Sequence, residues 1–555
     1  MLKDGQLYIA HSENGNINLI GKMANRHGLI AGATGTGKTV TLQVLAETFS
    51  QAGVPCFMAD MKGDLSGISQ PGRLSGFIEK RMPEFGIENP QFAGCPTRFF
   101  DVFGEQGFPM RATVSAMGPQ LLARLMELTE VQAGVLNAVF RIADDNNLLL
   151  IDLKDLKLML DFVGKNAAKF TTEYGNIAPA SIGAIQRSVL QIESEGGDKF
   201  FGEPAFEVED LFAVENGRGV MNVLAADKLM LNPKLYSTYL LWLITELYAK
   251  LPEVGDLELP KFVFFFDEAH MLFDGTSKAL VNKIEQVIRL IRSKGVGIYF
   301  ITQVPSDVPV NVLAQLSNRV QHALRAYTPQ DQKAVRAAAE TFRTNPAFKT
   351  EDAILDLGTG EALVSFLDEK GAPSVVERAK ILFPLSQIGA ITPGQRLDIQ
   401  AAAPDRLKDY EKFFDRESAY EVLTEANEKA EKQKEKEAKA AEKEKEKKAK
   451  EKEKKSSSKS KKGGIGRTIF GTMIAAAATS FARSAGTSIA KSIGSSKSKK
   501  STSSSKKTTT TKKSGTSTKS SSGSILGDAV KKATKTAANT ATRKVTTEIL
   551  KSIFN

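Results

Sequence analysis

The fold of this chain is decided by one stretch near its N-terminus, Gly32-Ala33-Thr34-Gly35-Thr36-Gly37-Lys38-Thr39. The stretch matches the Walker A pattern G-x-x-x-x-G-K-[ST], which needs a strand before it and a helix after it. The pattern of residues 26–31 predicts a short buried strand, and residues 39–51 carry apolar side chains at helical spacing. Strand, glycine-rich turn and helix in this order predict a loop that binds phosphate.

The residue types of the stretch suit a nucleotide and its magnesium ion. Glycines let the backbone direct its amides at phosphate oxygens, and the helix N-terminus adds a partial positive charge. Lys38 is expected to reach the β and γ phosphates, and the Thr39 hydroxyl to bind Mg²⁺. A chance glycine-rich turn is the alternative, and the flanking elements speak against it. The predicted nucleotide-binding residues are Gly32, Ala33, Thr34, Gly35, Thr36, Gly37, Lys38, Thr39 and Val40.

A second motif follows at residues 262–268, where the apolar run FVFFF ends in two carboxylates. A run this apolar predicts a central strand that is buried on both faces. Asp267 is then expected to hold Mg²⁺ through its water shell, and Glu268 to activate the attacking water as the general base. Two surface acids at the start of a loop are the alternative. His270 is interpreted as a structural or coupling residue.

Three further side chains complete the candidate catalytic set. A predicted strand at residues 297–302 ends in Gln303, which would sense the γ-phosphate if this strand neighbours residues 262–266. A glutamine that merely ends the strand is the alternative. Arg319 and Arg325 flank another predicted strand and are candidates for the cation that a neighbouring subunit donates. Arg292 is a weaker candidate, and for each arginine a surface salt bridge remains open.

Alternating strand and helix patterns predict an α/β fold around a central, mostly parallel sheet. We expect an N-terminal part of the core at 1–109, a mostly helical insertion at 110–215 and the rest of the core at 216–400. A Glu/Lys-rich helical linker is expected at 401–462. The Ser/Lys/Thr-rich tail at 463–555 contains two apolar or amphipathic segments, 465–493 and 525–554, and is otherwise expected to be disordered.

The net charge of +11 hides two opposite parts. Residues 1–414 carry a net charge of −8, and residues 415–555 carry +19, so the folded body is acidic and the tail is basic.

Cys56 and Cys95 lie in no zinc-binding pattern and are expected to be buried free thiols. The first residues lack a signal-peptide pattern, and a cytoplasmic protein is expected.

Several segments together carry a resemblance to the HerA-FtsK superfamily, and more closely to HerA-like NTPases of the YjgR type. The segments are residues 32–39, ADMKGD at 59–64, FFDEAH at 265–270, RSKGVGI at 292–298, Thr302-Gln303 and NRVQHALR at 318–325. The resemblance covers about residues 5–400. It implies a RecA-like, additional-strand P-loop core that binds ATP and Mg²⁺ between the subunits of a hexameric ring.

Two hypotheses for function remain open at this point. The first is an ATP-driven motor on double-stranded DNA, as the resemblance implies, with the basic tail adding salt-dependent affinity. The second is an ATP-switched scaffold or protein-remodelling ATPase, whose tail segments lie on an anionic membrane or against a partner protein. Packing of these segments on the chain's own core is a further alternative. No guanine-reading motif occurs, and ATP is favoured by the resemblance.

Overall fold

The apolar run at residues 262–266 forms a strand at the centre of the protein. In this computed structural model, which describes residues 1–273 and 278–457, all five residues of Phe262–Phe266 are buried. The side chains of Phe262, Phe264 and Phe266 belong to one hydrophobic core, and those of Val263 and Phe265 to a second. Because successive strand residues point to opposite faces, the sheet is covered on both sides at this strand, as predicted.

The described residues contain fifteen strands and sixteen α-helices. The strands are β1 Leu2–Lys3, β2 Gln6–Ser12, β3 Gly15–Leu19, β4 Gly28–Ala31, β5 Cys56–Asp60, β6 Thr97–Asp101, β7 Phe108–Pro109, β8 Val214–Glu215, β9 Arg218–Gly219, β10 Met221–Ala225, β11 Phe262–Phe266, β12 Val296–Thr302, β13 Asn318–Gln321, β14 Glu361–Ser365 and β15 Glu377–Ile381. The helices are α1 Lys38–Gln51, α2 Gly76–Arg81, α3 Val114–Leu125, α4 Glu130–Asp145, α5 Leu153–Lys165, α6 Ala167–Tyr174, α7 Pro179–Ile192, α8 Asp198–Phe200, α9 Pro233–Lys250, α10 Lys278–Ile291, α11 Val310–Leu313, α12 Pro329–Glu340, α13 Thr350–Asp356, α14 Pro393–Ala402, α15 Asp405–Lys408 and α16 Ala419–Ser457.

One large sheet organises these elements. Its order is β1-β2-β15-β14-β13-β4-β12-β11-β5-β10-β6-β7, with β3 paired to β2. The strands from β13 to β7 in this order are parallel, whereas β14, β15, β2, β1 and β3 add an antiparallel side. The predicted α/β fold with a mostly parallel sheet is confirmed. The order also places β12 between β4 and β11, which is the arrangement that an additional-strand core requires.

Helices fill the chain between β7 and β8. Leu121 and Leu122 are buried in α3, and Leu136 and Val139 are buried in α4, so each helix has an apolar face in the core. Residues Thr129 and Asp152 cap α4 and α5 with reciprocal side-chain and backbone hydrogen bonds. Such caps satisfy backbone amides that a helix start leaves without a partner, and they fix where each helix begins.

Among the described residues, 1–427 form one compact unit and 428–457 belong to a second. The Glu/Lys-rich stretch lies in α16, where pairs such as Lys432–Glu428 and Lys439–Glu435 are spaced four residues apart on one helix face. Cys56 and Cys95 are free and buried, as expected. The tail predicted at 463–555 lies outside the described residues.

No helix within residues 1–273 and 278–457 is both long enough and apolar enough to cross a lipid bilayer.

Candidate nucleotide site

The glycine-rich loop occupies residues 32–37, between the end of β4 and the first residue of α1. Two glycines are required by their surroundings. Gly32 has φ 156°, and a Cβ there would lie 2.5 Å from Cβ of His322. Gly37 has φ 121°, and a Cβ there would lie 3.3 Å from Cα of Gly360. Because side chains disfavour positive φ, and a Cβ would collide at residue 32 and be crowded at residue 37, the loop conformation favours glycine at both positions.

Backbone hydrogen bonds hold the loop from three sides. The Gly32 amide donates to the Gln303 carbonyl at 3.0 Å, and the Ala33 amide donates to the Ala323 carbonyl at 2.8 Å. The Gly360 amide donates to the Thr36 carbonyl at 2.9 Å. The segments after β12 and β13 and before β14 therefore brace the loop. A braced loop is already ordered before its ligand arrives, which lowers the entropic cost of binding.

His322 is the buried side chain behind this brace. Thr41 Oγ1 lies 2.7 Å from its Nε2, and the Glu361 carbonyl lies 2.9 Å from its Nδ1. The Nδ1 atom must donate to that carbonyl, so Nε2 of the neutral ring accepts from the threonine hydroxyl. Burial lowers the pKa of His322 to about 4, with Lys38 adding to the decrease. The ring is therefore uncharged at neutral pH.

Lys38 lies against the loop it belongs to. Its Nζ donates to the carbonyls of Gly32 at 2.6 Å and Ala33 at 3.2 Å. Burial lowers its pKa, while the charges of Glu268 and Asp267 oppose that change. The ammonium thus sits in the field of the two acids at the end of β11. The structure therefore brings the two sequence motifs together at one edge of the sheet.

The acids after β11 differ in their surroundings. Asp267 is 8% exposed, and burial together with the adjacent Glu268 raises its pKa to about 7. Glu268 has the left-handed backbone angles φ 46° and ψ 50°, which are uncommon for a residue with a side chain. Lys62 Nζ lies 2.9 Å from Glu268 Oε1, and His270 Nδ1 lies 3.5 Å from Oε2. The Glu268 carboxylate is therefore held in place, and its Oε1 atom is already paired with the Lys62 ammonium.

The chemistry of this edge fits a magnesium ion bound with a nucleotide. Glu268 Oε2, Asp60 Oδ2 and Asp64 Oδ1 are among the buried side-chain atoms that have no hydrogen-bond partner in the described part of the chain. Burial and the nearby Asp64 raise the pKa of Asp60 to about 6. Unpartnered buried carboxylate oxygens are costly, and a hard divalent cation with its water shell would satisfy them. In the described part of the chain, no group of three or more His, Cys, Asp or Glu side chains forms a metal site by itself.

The predicted sensor and the three candidate arginines differ in exposure and in their position in the sheet. Gln303 directly follows β12, the strand between β4 and β11, and its side chain is exposed. Arg325 is also exposed and follows the end of β13 on the loop side of the sheet. Arg319 instead donates to carbonyls of its own chain, those of Leu316, Thr341 and Leu313. Arg292 precedes β12 and so lies at the opposite edge of the sheet.

Sequence reasoning missed three contacts in this site. It considered Lys62, in the segment 59–64, only as a candidate for a pore-lining residue that contacts DNA, and it gave no role to His322 or to Gly360 in the brace. The segment 318–325 carried part of the family resemblance, and that signal could have directed attention to His322. The pairing of Lys62 with Glu268 joins residues 206 positions apart. No local pattern reports such a contact.

The fold and the site define a P-loop NTPase with a RecA-like sheet. The Helicase HerA-like C-terminal family matches residues 6–500, and the chain belongs to this family. The DNA double-strand break repair helicase HerA of Sulfolobus acidocaldarius is 29% identical over 99 residues. That match covers 18% of this chain and 19% of the length of this relative.

Solved structures resemble the chain over a longer range. The plasmid coupling protein TrwB, in complex with the non-hydrolysable GTP analogue GDPNP, is 15% identical with a TM-score of 0.47. The likeness covers 71% of this chain and 93% of the TrwB chain. VirB4 of Thermoanaerobacter pseudethanolicus is 15% identical with a TM-score of 0.44, over 68% of this chain and 97% of that one.

Proposed function

We propose that this protein is an ATP-hydrolysing motor that acts on double-stranded DNA as a ring. The observation that carries the proposal is the meeting of Lys38, Asp267 and Glu268 at one edge of the sheet, with β12 between their strands. This edge supplies a phosphate-binding cation, a magnesium-binding acid and a general base. Membership of the helicase-like family supports the same reading.

Each residue of the site has a proposed task. The loop amides and Lys38 bind the phosphates, and Thr39 and Asp267 hold Mg²⁺ with its water. When bound, the ion neutralises the charge of the β and γ phosphates. Glu268 accepts a proton from the attacking water as the γ-phosphate is transferred. Gln303, exposed at the end of the intervening strand, is proposed to orient that water or sense the phosphate.

The ring is proposed because one of the two candidate arginines, Arg319 and Arg325, is free to reach the site of a neighbouring subunit. A cation that acts on a neighbouring subunit must be free to leave its own chain. Arg319 is held by three backbone carbonyls, and burial lowers its pKa. Arg325 is exposed and has no hydrogen-bond or ion-pair partner among residues 1–273 and 278–457. We therefore assign Arg325 as the arginine that acts on a neighbouring subunit. Arg319 is assigned a structural role, because its hydrogen bonds stabilise the segment after α11.

Double-stranded DNA is proposed as the substrate from family membership. The curated relative is named as a helicase of DNA double-strand break repair. The net charge of −8 on residues 1–414 gives the body no overall attraction to DNA, so DNA contacts are assigned to local basic groups and the tail. Such contacts release counterions from DNA, and the affinity must fall steeply with salt.

Steady-state hydrolysis by the full chain tests the proposal. ATP turnover is measured with and without linear duplex DNA, at low and physiological salt. The matched variants are Lys38→Ala, which removes the phosphate cation, and Lys157→Ala, which removes a lysine of similar exposure in the helical segment. DNA should raise turnover, more at low salt, and only Lys38→Ala should abolish it. Turnover indifferent to saturating DNA at both salts would contradict the DNA motor.

A further inference from the structure

The segment after β5 places a lysine directly on the general base. β5 pairs with β11, so residues 60–64 lie beside the end of the strand that carries Glu268. The Lys62 amide donates to Asp60 Oδ1 at 3.4 Å, and Ser66 Oγ donates to the Gly63 carbonyl at 2.7 Å. Gly63 has φ 77°, which turns the chain sharply. The backbone at Lys62 is therefore fixed by contacts within its own turn.

The side chain of Lys62 is exposed along much of its length, whereas its partner is not. The side chain of Lys62 is 56% exposed and that of Glu268 is 13% exposed. Their Nζ and Oε1 atoms lie 2.9 Å apart. The hydrogen bond to Glu268 raises the pKa of Lys62. The ammonium is therefore charged at neutral pH and can move into solvent without leaving a buried cavity.

This pair restricts how Glu268 can act as a general base. A general base needs a free lone pair directed at the water that it deprotonates. In the paired state, Oε1 accepts from Lys62 instead, and the backbone of Glu268 is already held in the left-handed region. Oε2 has no hydrogen-bond partner, but the pair fixes the orientation of the whole carboxylate, so turning it toward a bound water requires release of Lys62.

An anion competes with the carboxylate for the ammonium more strongly than a neutral group does. Lys62 lies in the field of Glu268, Asp267 and Asp64, and its charge also acts on Lys38. Lys62 and Lys38 therefore act on the same edge of the sheet, where the phosphates are proposed to bind. A phosphate has the charge and the oxygen acceptors to replace the carboxylate. A neutral ligand has no comparable attraction.

We propose that Lys62 is a positioning residue that holds the Glu268 carboxylate in its resting orientation until a phosphate group draws the ammonium away. The inference rests on the proposed function and adds a regulatory step to it. The phosphate has two sources, the γ-phosphate of ATP and the backbone of DNA. Release by DNA would make hydrolysis depend on substrate, whereas release by ATP would make Lys62 part of nucleotide binding.

Three variants of the full chain test the inference, with Glu268→Gln as an inactive reference. Lys62→Ala removes the pair, Lys62→Arg retains a cation, and Lys157→Ala removes a lysine whose pair with Glu193 has the same 2.9 Å separation. Turnover and KM for ATP are measured with ATP alone and with saturating linear duplex DNA. Breaking a half-exposed pair is cheap, so Lys62→Ala should raise ATP-only turnover about two- to fivefold if DNA releases the pair, and should not raise it if ATP does. Lys62→Arg should restore wild-type behaviour.

The outcomes separate the two phosphate sources. If DNA releases the pair, Lys62→Ala abolishes most of the DNA stimulation without changing KM for ATP. If ATP releases it, Lys62→Ala raises KM, and the DNA stimulation persists. The inference is overturned if Lys62→Ala matches Lys157→Ala in every quantity. It is also overturned if Lys62→Ala is as inactive as Glu268→Gln with KM unchanged, because Lys62 would then be needed for the chemistry itself.

The same experiment distinguishes failure of the proposed function. Suppose that DNA does not stimulate the wild-type enzyme but that ATP-only turnover rises in Lys62→Ala. This result would contradict DNA as the substrate and would still support the role of the Lys62–Glu268 pair. A wild-type chain without any turnover would contradict the proposed function. The pair is then supported if Lys62→Ala alone gains hydrolysis, and it is overturned if that variant stays inactive.

Discussion

Replacing His322 with alanine should destabilise the loop at residues 32–37, because the ring packs beneath it and is hydrogen-bonded on both sides. The imidazole is 0% exposed and connects Thr41 with the Glu361 carbonyl at 2.7 and 2.9 Å. Its loss removes two hydrogen bonds worth about 1 kcal/mol each and leaves a cavity beside Gly32. We expect the free energy of unfolding to fall by about 3 kcal/mol at pH 7.5. KM for ATP should rise several-fold because the loop is no longer ordered in advance.

The loss of unfolding free energy in His322→Ala should be smaller in acid. A substitution that merely disrupts packing would cost the same at both pH values. The pKa of His322 is about 4 in the folded chain, against an ordinary 6.5. As pH falls below 6.5 the unfolded state takes up a proton first, so wild type loses stability down to about pH 4. At pH 5 this loss is about 2 kcal/mol. The alanine variant escapes it, and its deficit should therefore shrink to about 1 kcal/mol.

Urea unfolding at pH 7.5 and pH 5 measures both quantities. The single tryptophan, Trp242, is 3% exposed in α9 and reports on the same unit. His11→Ala serves as the control, since this half-buried ring bonds Tyr8 and Asn16 at the antiparallel side of the sheet. The control should cost less than about 1 kcal/mol at pH 7.5. An equal deficit for His322→Ala at both pH values would refute a buried neutral histidine.

Two further predictions concern the arginine and the end of the body. Arg325→Ala should lower turnover about a thousandfold or more, and mixing it with the inactive Lys38→Ala chain should restore activity if the arginine acts on a neighbour. Failure of mixed chains to recover would place Arg325 outside the shared site. A chain ending at residue 414 should melt several degrees below one ending at residue 427, because Ser418 Oγ bonds Asp155 at 2.5 Å and Leu423 is buried. Equal melting temperatures would contradict a structural role for residues 415–427.

The parts of the fold that were predictable have strong local signals. The loop at 32–39 required a strand and a helix beside it, and β4 and α1 are both present. The run at 262–266 is apolar on both faces, which only a central strand tolerates. The sensor strand was predicted as 297–302, and β12 covers Val296–Thr302. In each case the chemistry of a few consecutive residues determined the element.

The antiparallel side of the sheet had no such signal. β2 mixes apolar residues with Gln6 and His11, and its partner β15 lies more than 350 positions later in the chain. Strand pairing across such a separation depends on tertiary packing, which periodicity does not report. The Lys62–Glu268 pair and the His322 brace were missed for the same reason. The domain boundaries at 109, 215, 400 and 462 stay predictions.

The measurement that tests the central claim most directly is a comparison of binding and turnover in Glu268→Gln. The full chain is assayed for ATP affinity and for phosphate release, beside wild type and Lys38→Ala. The account predicts that Glu268→Gln binds ATP as tightly as wild type but releases phosphate at least about a hundredfold more slowly, because only the base is lost. Lys38→Ala should lose affinity as well. Wild-type turnover in Glu268→Gln would contradict the account.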